Sequence, residues 1–289
     1  MKIITFNLLA PIYAQPIWYP IDLNAELLKT ENRIPILINY INTLKNDADI
    51  FCFQEVQESI FAILEKQLDG FVGYNNYHDP KYWANWIIPP VEYTPNGNAV
   101  FVRKSILTGV SFKDIPLSDT GNHCIMTSFI HKDTNKRIKI YCVHFDADLQ
   151  QNREIELESL LNRINSGNKN DSGNNIVDIF DIVDIVDIVV GDYNFDMNNK
   201  LKLVLDKNKF IDIIDYKLNN NITIPFQNIY YKSHNYTVID HILSKNIRYS
   251  NGEVLGYSII DIENKLHRIE QTLSFNGSDH FAVYANIEF

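Results

Sequence analysis

The chain has 289 residues, of which 45% are hydrophobic and 21% are charged, and its formal net charge is −10. This composition can bury a large core, and we expect one domain over residues 1–289 with a low-complexity insertion at about 165–184. The acidic balance argues against broad electrostatic binding to nucleic acids or anionic membranes, which requires a basic surface. An acidic protein can still process phosphodiesters if a divalent metal ion supplies the local positive charge.

The cysteines and the apolar runs indicate the cellular compartment. Cys52, Cys124 and Cys142 lie within apolar runs without metal-binding spacing, as expected for buried free thiols in a reducing compartment. The sequence from Met1 enters a strand pattern without the apolar region of a signal peptide. No apolar run approaches the roughly 18 residues that a membrane helix needs. We therefore expect a cytoplasmic or nuclear protein that contacts no membrane.

The first predicted elements are a strand and a helix. Residues 2–9 predict a buried strand that ends at Asn7, before the loop signal Leu-Leu-Ala-Pro. Apolar residues then repeat at intervals of three and four over residues 27–44. This spacing predicts an amphipathic helix that tolerates Pro35 near its first turn.

A second strand and a second helix follow. The strand over residues 48–53 runs into Glu55, and residues 60–68 predict the helix. Residues 70–95 are rich in Tyr, Trp, Asn and Pro, and they predict a long loop with one short strand. Because long loops in compact domains are usually functional, we expect this loop and residues 216–236 to determine substrate specificity.

The middle of the chain predicts three strands. Asn98 belongs to an Asn-Gly-Asn sequence that predicts a tight turn before a strand over residues 99–103. Strands over residues 124–131 and 137–143 are joined by a polar segment with the composition of a hairpin loop. The second of them ends in His144.

A predicted helix over residues 151–164 leads into a low-complexity stretch. Residues 165–175 have the composition of a flexible polar linker. In the Ile-Val-Asp repeat that follows, over residues 176–190, aspartate recurs at every third position, a period that fits neither a strand nor an α-helix. We expect only about the last five or six residues of this run to enter a sheet.

The apolar run ends abruptly at Gly191, which is followed by Asp192, Tyr193 and Asn194. A strand that stops at a glycine lets the backbone turn sharply and presents a carboxylate beside a carboxamide at the edge of a sheet. This arrangement suits a phosphate or metal site, although the pattern also describes an ordinary turn.

The last predicted elements are a helix over residues 201–205, a strand over 236–244 that carries Asp240, and a strand over 282–289. Many short strands, with helices after some of them, predict a layered α/β sandwich.

Polar residues recur at the ends of these strands. They are Asn7, Glu55, Asn98, His144, Asp192, Asn194, Asp240, Asp279 and His280. Each alone has an ordinary explanation, because turns favour Asn and Asp. Together they supply hard oxygen ligands for Mg²⁺ or Mn²⁺, a carboxylate that can activate water, and imidazoles that can bind a phosphate. A metal-dependent phosphodiester hydrolase requires these groups.

The sequence blocks that contain these residues resemble those of the endonuclease/exonuclease/phosphatase superfamily, in the same order. The matching blocks are Thr5-Phe6-Asn7, Phe53-Gln54-Glu55-Val56, Asn96-Gly97-Asn98-Ala99-Val100-Phe101, Val143-His144-Phe145, Gly191-Asp192-Tyr193-Asn194, Val238-Ile239-Asp240-His241-Ile242 and Ser278-Asp279-His280. The resemblance implies the DNase-I-like fold, a four-layer α/β/β/α sandwich, over the whole chain.

The resemblance also implies a metal site. Glu55 is similar to the family's principal metal ligand, with Asn7 and Asp279 beside it. Mg²⁺ is the cofactor that the resemblance implies, with Mn²⁺ as a possible substitute. Asn98 falls in a block that the resemblance assigns to substrate binding.

The remaining blocks imply catalytic roles. Asp192 is similar to the residue that positions and activates the attacking water, and Asn194 and His144 are similar to residues that hold the scissile phosphate. His280 is similar to the histidine that contacts the phosphate, and Asp240 to the carboxylate that orients it. In physical terms, a metal ion and an imidazolium stabilise the extra negative charge of the transition state.

A closer resemblance is to the nocturnin/Angel-type deadenylase branch. It rests on the segment Asn7-Leu8-Leu9-Ala10-Pro11-Ile12-Tyr13-Ala14, on Arg33, and on Ala48-Asp49-Ile50 leading into Gln54-Glu55-Val56. This chain departs from that branch at three places. It has Phe145 where the branch usually has leucine, it lacks a proline soon after His144, and it has Asn235 where an aromatic residue that stacks on a base is expected. The neighbouring Tyr236 is a substitute for that aromatic residue. The branch implies a 3′ exonuclease acting as a monomer on single-stranded RNA.

Other functions of the same fold remain open. They are an abasic-site DNA endonuclease, a sphingomyelinase, an inositol-phosphate phosphatase, and a catalytically dead member kept as a binding or scaffold protein. The net negative charge of the chain disfavours the abasic-site endonuclease, because that enzyme binds duplex DNA.

Overall fold

The structure is a computed structural model that describes residues 1–77, 94–119, 121–170, 185–195, 199–214, 223–224, 238–247, 249–256 and 265–289. Its strands are β1 (Lys2–Asn7), β2 (Ile50–Gln57), β3 (Phe71–Asn75), β4 (Asn96–Arg103), β5 (Leu107–Pro116), β6 (His123–His131), β7 (Arg137–His144), β8 (Ile185–Asp192), β9 (Ile211–Asp212), β10 (Asp240–Lys245), β11 (Tyr249–Val254) and β12 (Val283–Glu288). Its α-helices are α1 (Thr30–Leu44), α2 (Glu58–Gln67), α3 (Gln150–Asn170), α4 (Asn199–Asn208) and α5 (Lys265–Asn276).

The strands form two mixed sheets. The first sheet has the order β11-β12-β1-β2-β4-β3, and the second has the order β5-β6-β7-β8-β10-β9. Each sheet contains one parallel pair, β1 with β2 and β7 with β8. Helices α1 and α3 provide the crossovers that these parallel pairs need.

The two sheets pack face to face through alternate residues of their strands. Ile3, Cys52 and Val100 of the first sheet and Ile140 and Val190 of the second belong to one buried cluster. Since successive side chains of a strand point to opposite faces, the intervening residues cover the outer faces of the sheets.

Helices cover the two outer faces. Leu37 of α1 and Leu64 of α2 pack with Phe51 on the first sheet, and Leu160 of α3 packs with Val189 on the second. The result is the four-layer α/β/β/α sandwich that the sequence predicts.

Three predicted boundaries are wrong. Helix α1 begins at Thr30, so Pro35 lies beyond its first turn, where burial of its apolar face outweighs the lost hydrogen bond. The predicted tight turn around Asn98 is instead the start of β4, because Gly97 pairs with Val56 of β2. The predicted flexible linker begins too early, since α3 continues through Asn170.

Other predictions are confirmed, and some elements were missed. The three cysteines are free and buried, and the short strand predicted within residues 70–95 is β3. The last six residues of the repeat, from Ile185, belong to β8, as predicted. The sequence patterns did not predict β5, β11 or α5. Most of the two predicted specificity loops, including Asn235 and Tyr236, lies outside the described residues. Within the described part of the chain, no helix has the length and apolarity needed to cross a membrane.

Candidate active site

Strand alternation places a row of polar side chains at one end of the second sheet. His144, Asp192 and Asp240 have the same parity as the inter-sheet residues of β7, β8 and β10. His144 is in register with Asp192, and Asp192 is in register with Asp240. The three side chains are therefore neighbours on the face that looks toward the first sheet.

The first sheet contributes two buried amides to the same face. Asn7 lies four residues after the inter-sheet residue Ile3, and Asn98 lies two residues before Val100. Both side chains are buried. The amide of Asn7 crosses to the second sheet, because its Nδ2 atom donates to Asp192 Oδ2 over 3.0 Å.

Glu55 reaches the site through an irregularity in β2. The register of β2 with β4 shifts between Phe53 and Val56, and Glu55 has a φ of 59° within this bulge. Its Oε1 atom accepts from Asn7 Nδ2 over 2.9 Å, and its Oε2 atom accepts from the Ala10 backbone over 2.8 Å. A non-glycine residue with positive φ is uncommon, and such strain concentrates at functional sites.

The Asp192 carboxylate is the centre of the cluster. In addition to Asn7, its Oδ2 atom lies 3.7 Å from His144 Nε2 and 3.8 Å from His280 Nε2. Its Oδ1 atom accepts from the Asn194 backbone over 2.8 Å, and the side chain is 1% exposed. One buried carboxylate is thus held among an amide and two imidazoles.

Position 191 of β8, directly before Asp192, requires glycine. Gly191 has a φ of 146°, and a Cβ atom there would lie 2.0 Å from the Val143 carbonyl oxygen. Beyond the end of β8, the Tyr193 backbone donates to Ile239 over 2.7 Å. The prediction that the strand stops at the glycine is therefore wrong by one residue, because Gly191 is paired with Val143 and His241 within the sheet and β8 ends at Asp192.

His280 and Asp240 form a buried hydrogen-bonded pair. His280 Nδ1 and Asp240 Oδ2 are 2.9 Å apart. Burial by itself would lower the pKa of His280, but the charges of Asp240, Asp192 and Asp279 outweigh it, and the pKa lies well above its ordinary value. The raised pKa favours the imidazolium form of His280, in which Nδ1–H donates to Asp240 and Nε2 lies on the side of Asp192.

Burial and neighbouring charge raise the pKa of Glu55. Desolvation is the main cause, the charge of Asp279 adds to it, and the charge of His144 offsets part of it. Asp279 itself accepts a hydrogen bond from the Tyr19 hydroxyl over 3.0 Å. The site therefore holds more negative charge than its own cations balance, a situation that a bound cation relieves.

The side-chain amides of two predicted site residues, Asn194 and Asn98, donate to backbone carbonyls and not to Asp192. Asn194, with a φ of 54°, donates from Nδ2 to the Phe145 carbonyl over 2.9 Å. Asn98 donates from Nδ2 to the His123 carbonyl over 3.0 Å. Neither amide hydrogen-bonds to Asp192 through its side chain in the described part of the chain, whereas Asn7, His144 and His280 surround that carboxylate.

Supporting residues hold the site together, and sequence patterns did not assign them this role. The Thr223 hydroxyl accepts from the Asp240 backbone, and the Ser278 hydroxyl donates to the Asn7 carbonyl. Arg33 is buried and donates to the carbonyls of Leu8, Leu9 and Gly277. These contacts join segments that are far apart in the chain, so local spacing carries no signal for them.

Three of the buried groups have a spacing that a metal ion could use. Ligand atoms of Asp192, Asp240 and His280 lie within 4.8 Å of one another. However, the hydrogen bond between Asp240 and His280 occupies the facing atoms of those two residues. This favours a carboxylate–imidazolium pair at that position.

Comparison with known proteins places this geometry in a family. The sequence profile described as "Endonuclease/Exonuclease/phosphatase family" matches residues 4–280. The chain belongs to the endonuclease/exonuclease/phosphatase family. Members of this family are generally phosphoester hydrolases and typically depend on a divalent metal ion. A search of curated proteins found no match.

Solved structures of the endonuclease/exonuclease/phosphatase family have the same fold. A mannosyl-6-phosphatase of Bacteroides thetaiotaomicron is 19% identical, with both chains covered in full and a TM-score of 0.66. The human nocturnin catalytic domain with bound sulfate is 17% identical, with 99% of this chain and 93% of that chain covered and a TM-score of 0.66. A humanised TDP2 of D. rerio is 13% identical, with 100% and 99% covered and a TM-score of 0.60. At these identities the likeness shows the fold alone.

Proposed function

We propose that the protein is a Mg²⁺-dependent phosphodiesterase that hydrolyses single-stranded RNA as a deadenylase-like 3′ exonuclease. The observation that carries the proposal is the environment of Asp192, whose carboxylate lies among Asn7, His144 and His280 at 3.0, 3.7 and 3.8 Å. A carboxylate held among these groups can orient a water molecule beside a phosphoryl group.

Each residue of this cluster has a role in the proposed reaction. Asp192 orients the attacking water and accepts its proton as the new P–O bond forms. The bond from phosphorus to the ribose 3′ oxygen breaks, and the leaving oxygen takes up a proton from solvent. His280 donates from Nε2–H to a phosphoryl oxygen, and Asp240 keeps its imidazole aligned and protonated. His144 and Asn194 hold the scissile phosphate, which for Asn194 requires its amide to leave the Phe145 carbonyl.

The residues that would hold the metal ion are Glu55, with Asn7 and Asp279 beside it. Carboxylate and amide oxygens suit Mg²⁺ or Mn²⁺, and burial, which raises the pKa of the Glu55 carboxyl, supports a site where a cation would stabilise the ionised form. The Asn7 oxygen accepts from the Leu9 backbone over 2.9 Å, so its use as a ligand requires the amide to turn. When bound, the ion supplies positive charge that stabilises the phosphoryl oxygens in the transition state.

We propose RNA in preference to other substrates because the segment from Asn7 to Ala14 resembles the deadenylase branch. The net charge of −10 supports a single-stranded substrate bound at one local site over duplex DNA. The three free, buried cysteines support a cytoplasmic or nuclear location. We further propose that the enzyme acts as a monomer.

A substrate panel tests the proposal. The enzyme is assayed with Mg²⁺ and with Mn²⁺ on oligo(A) RNA, mixed RNA, single- and double-stranded DNA, abasic DNA, sphingomyelin, an inositol phosphate and a sugar phosphate. We expect EDTA-sensitive shortening of oligo(A) from its 3′ end. If the enzyme hydrolyses another compound of the panel faster than RNA, the proposed substrate class is wrong and that compound indicates the substrate.

Two variants connect the activity to the site. Asp192→Asn and Glu55→Ala should abolish hydrolysis while the protein remains folded by circular dichroism. The matched control is Asp69→Asn, because the Asp69 side chain is 81% exposed and pairs with Lys45 outside the cluster. Full activity in either site variant, or no activity of the wild-type protein on any substrate, would contradict the proposed function and favour a binding or scaffold protein.

A further inference from the structure

His123, the first residue of β6, extends the row of site residues by one strand. The last recorded pair of the β6–β7 ladder is Ile125 with Cys142. The same register, continued by two residues, places His123 opposite His144. Neighbouring strands lie about 4.8 Å apart, so this register makes the two residues neighbours across the ladder.

The ring of His123 is on the inter-sheet face. Ile125 and Phe129, which share its parity on β6, belong to the core between the sheets. Asp240, Asp192, His144 and His123 therefore occupy successive strands on one face of the second sheet. The side chain of His123 is 29% exposed, so it lies where the row meets solvent.

A carboxylate fixes the orientation of this imidazole. His123 Nδ1 lies 2.8 Å from Asp114 Oδ2 on the neighbouring strand β5. Asp114 Oδ1 in turn accepts from Asn76 Nδ2 over 2.7 Å, which connects the pair to the first sheet. The arrangement repeats that of His280 with Asp240, on the opposite side of Asp192. A carboxylate on Nδ1 directs the other ring nitrogen, Nε2, away from the pair.

The segment before His123 is also held in place. Asn122 donates from Nδ2 to Glu156 Oε1 over 2.9 Å, and its carbonyl accepts from the Leu117 backbone over 2.9 Å. His123 is thus supported from α3 as well as from β5, and little ordering is needed when a ligand binds.

A buried acceptor adjoins His123. Asn98 is 1% exposed, and its Nδ2 atom donates to the His123 carbonyl. Its Oδ1 atom has no hydrogen-bond partner among the described residues. A buried polar atom without a partner is costly, and a hydroxyl of a bound ligand would satisfy this one.

We propose that His123, oriented by Asp114, binds a second phosphate of the substrate, one nucleotide away from the scissile phosphate. This inference rests on the proposed function. Asp240 lies at the end of the row opposite His123, with Asp192 and His144 between them, so a second anion is accommodated at the end that holds the imidazoles of His144 and His123. RNA supplies such a phosphate with every nucleotide, together with ribose hydroxyls for Asn98, whereas a sugar monophosphate does not.

The test compares two dinucleotides with His123→Gln. ApA and pApA present the same internucleotide bond without and with a second phosphate. The variant should raise KM for pApA about tenfold and leave KM for ApA unchanged, because one charge-assisted hydrogen bond is lost. The value of kcat should stay within about twofold for both. His267→Gln, which alters an exposed histidine on α5, is the matched control and should change neither constant.

A binding measurement separates this inference from the proposed function. Dissociation constants of adenosine 3′,5′-bisphosphate and adenosine 5′-monophosphate are measured by calorimetry for the wild-type protein and the variant. A loss of about tenfold that is confined to the bisphosphate supports the second-phosphate site even if neither dinucleotide is cleaved. In that case only the phosphodiesterase proposal fails.

Several results would overturn the inference. They are equal effects on ApA and pApA, no effect on either, and equal losses for the two nucleotides. If His123→Gln does not fold, Asp114→Asn carries the same test, since it keeps the imidazole but removes the carboxylate that orients it. Unchanged KM and affinity in that variant would then contradict the proposal.

Discussion

His280 Nδ1 lies 2.9 Å from Asp240 Oδ2, and both side chains are buried. We expect Asp240→Asn to reduce kcat by about 100-fold or more, because the neutral amide no longer favours the imidazolium that stabilises charge on the phosphate. The melting temperature should also fall, because the buried imidazolium loses its charged partner, so kcat is compared at a temperature where the variant remains folded. Steady-state kinetics and circular dichroism check both statements, and unchanged kcat would show that the pair has only a structural role.

Mg²⁺ should stabilise the folded protein through Glu55. The pKa of this carboxyl is raised mainly by burial, so a cation that binds the ionised form stabilises the native state by mass action. We expect the melting temperature to rise with Mg²⁺ concentration in the wild-type protein and in Asp69→Asn, and to be insensitive to it in Glu55→Gln. An equal rise in all three proteins would place the ion elsewhere.

Gly191→Ala should destabilise the protein far more than Gly109→Ala. Both glycines have positive φ, but only at position 191 does the added Cβ atom meet backbone, 2.0 Å from the Val143 carbonyl oxygen. At position 109 nothing lies within 4 Å. We expect a loss of about 1 kcal/mol in unfolding free energy at position 109 and of more than about 3 kcal/mol at position 191. Urea denaturation measures both losses. Similar losses at the two positions would contradict the predicted steric clash between a Cβ atom at position 191 and the Val143 carbonyl.

Arg33→Met should cost more stability than Arg103→Met. Arg33 is fully buried and satisfies three carbonyls of two separate segments, whereas the Arg103 side chain is 24% exposed and its carbonyl partners can be hydrated. We expect a loss of about 3 kcal/mol or more for Arg33 and of about 1 kcal/mol for Arg103. Urea denaturation of the two variants measures both losses. A larger loss for Arg103→Met would show that the carbonyls bound by Arg33 find other hydrogen-bond donors.

The pair of His241 and Asp212 should make stability depend on pH. Burial alone lowers the pKa of His241, but the carboxylate of Asp212, 2.8 Å from Nδ1, outweighs it, and Asp240 and a hydrogen bond to the Phe195 backbone add to the rise. The Tyr193 ring also packs edge-on against the His241 ring, with the ring centroids 5.2 Å apart. Because the pKa is raised on folding, the contribution of the pair is complete below the ordinary value of 6.5 and is lost as the pH rises through the folded value.

The variant Asp212→Asn tests this sign. It should destabilise the protein more at pH 6 than at pH 9, as measured by urea unfolding at both values. His267→Gln, at an exposed site on α5, should show the same small effect at both. A larger destabilisation by Asp212→Asn at pH 9 would mean that His241 is neutral in the native state.

The strand-end residues of the site could be predicted because strand alternation is local. Asn7, His144 and Asp192 end apolar strands and Asp240 begins one, and the parity of each strand fixes the face that the polar residue occupies. Glu55 fits this rule only in part, since it reaches the site through a bulge with positive φ that its neighbours in the sequence do not encode.

The missed elements have two different explanations. Strand β5 lies at the edge of its sheet and is mostly exposed, so it has no apolar alternation. Helix α5 did carry a signal, because Ile269 and Leu273 are buried at a spacing of four. The contacts of Tyr19 with Asp279 and of Thr223 with Asp240 are long-range and cannot be read from local spacing.

The amide of Asn7 has a mechanical consequence for the whole sandwich. Its single nitrogen donates to Glu55 of one sheet and to Asp192 of the other. A displacement of the sheets past each other by one strand residue, about 3.3 Å, would break one of these bonds. Other hydrogen bonds between the sheets, such as those of Asn98 with His123 and of Asn76 with Asp114, lie nearer β6. Any ligand that engages both carboxylates therefore adds a directed connection between the two sheets at Asp192 and fixes their alignment as it binds.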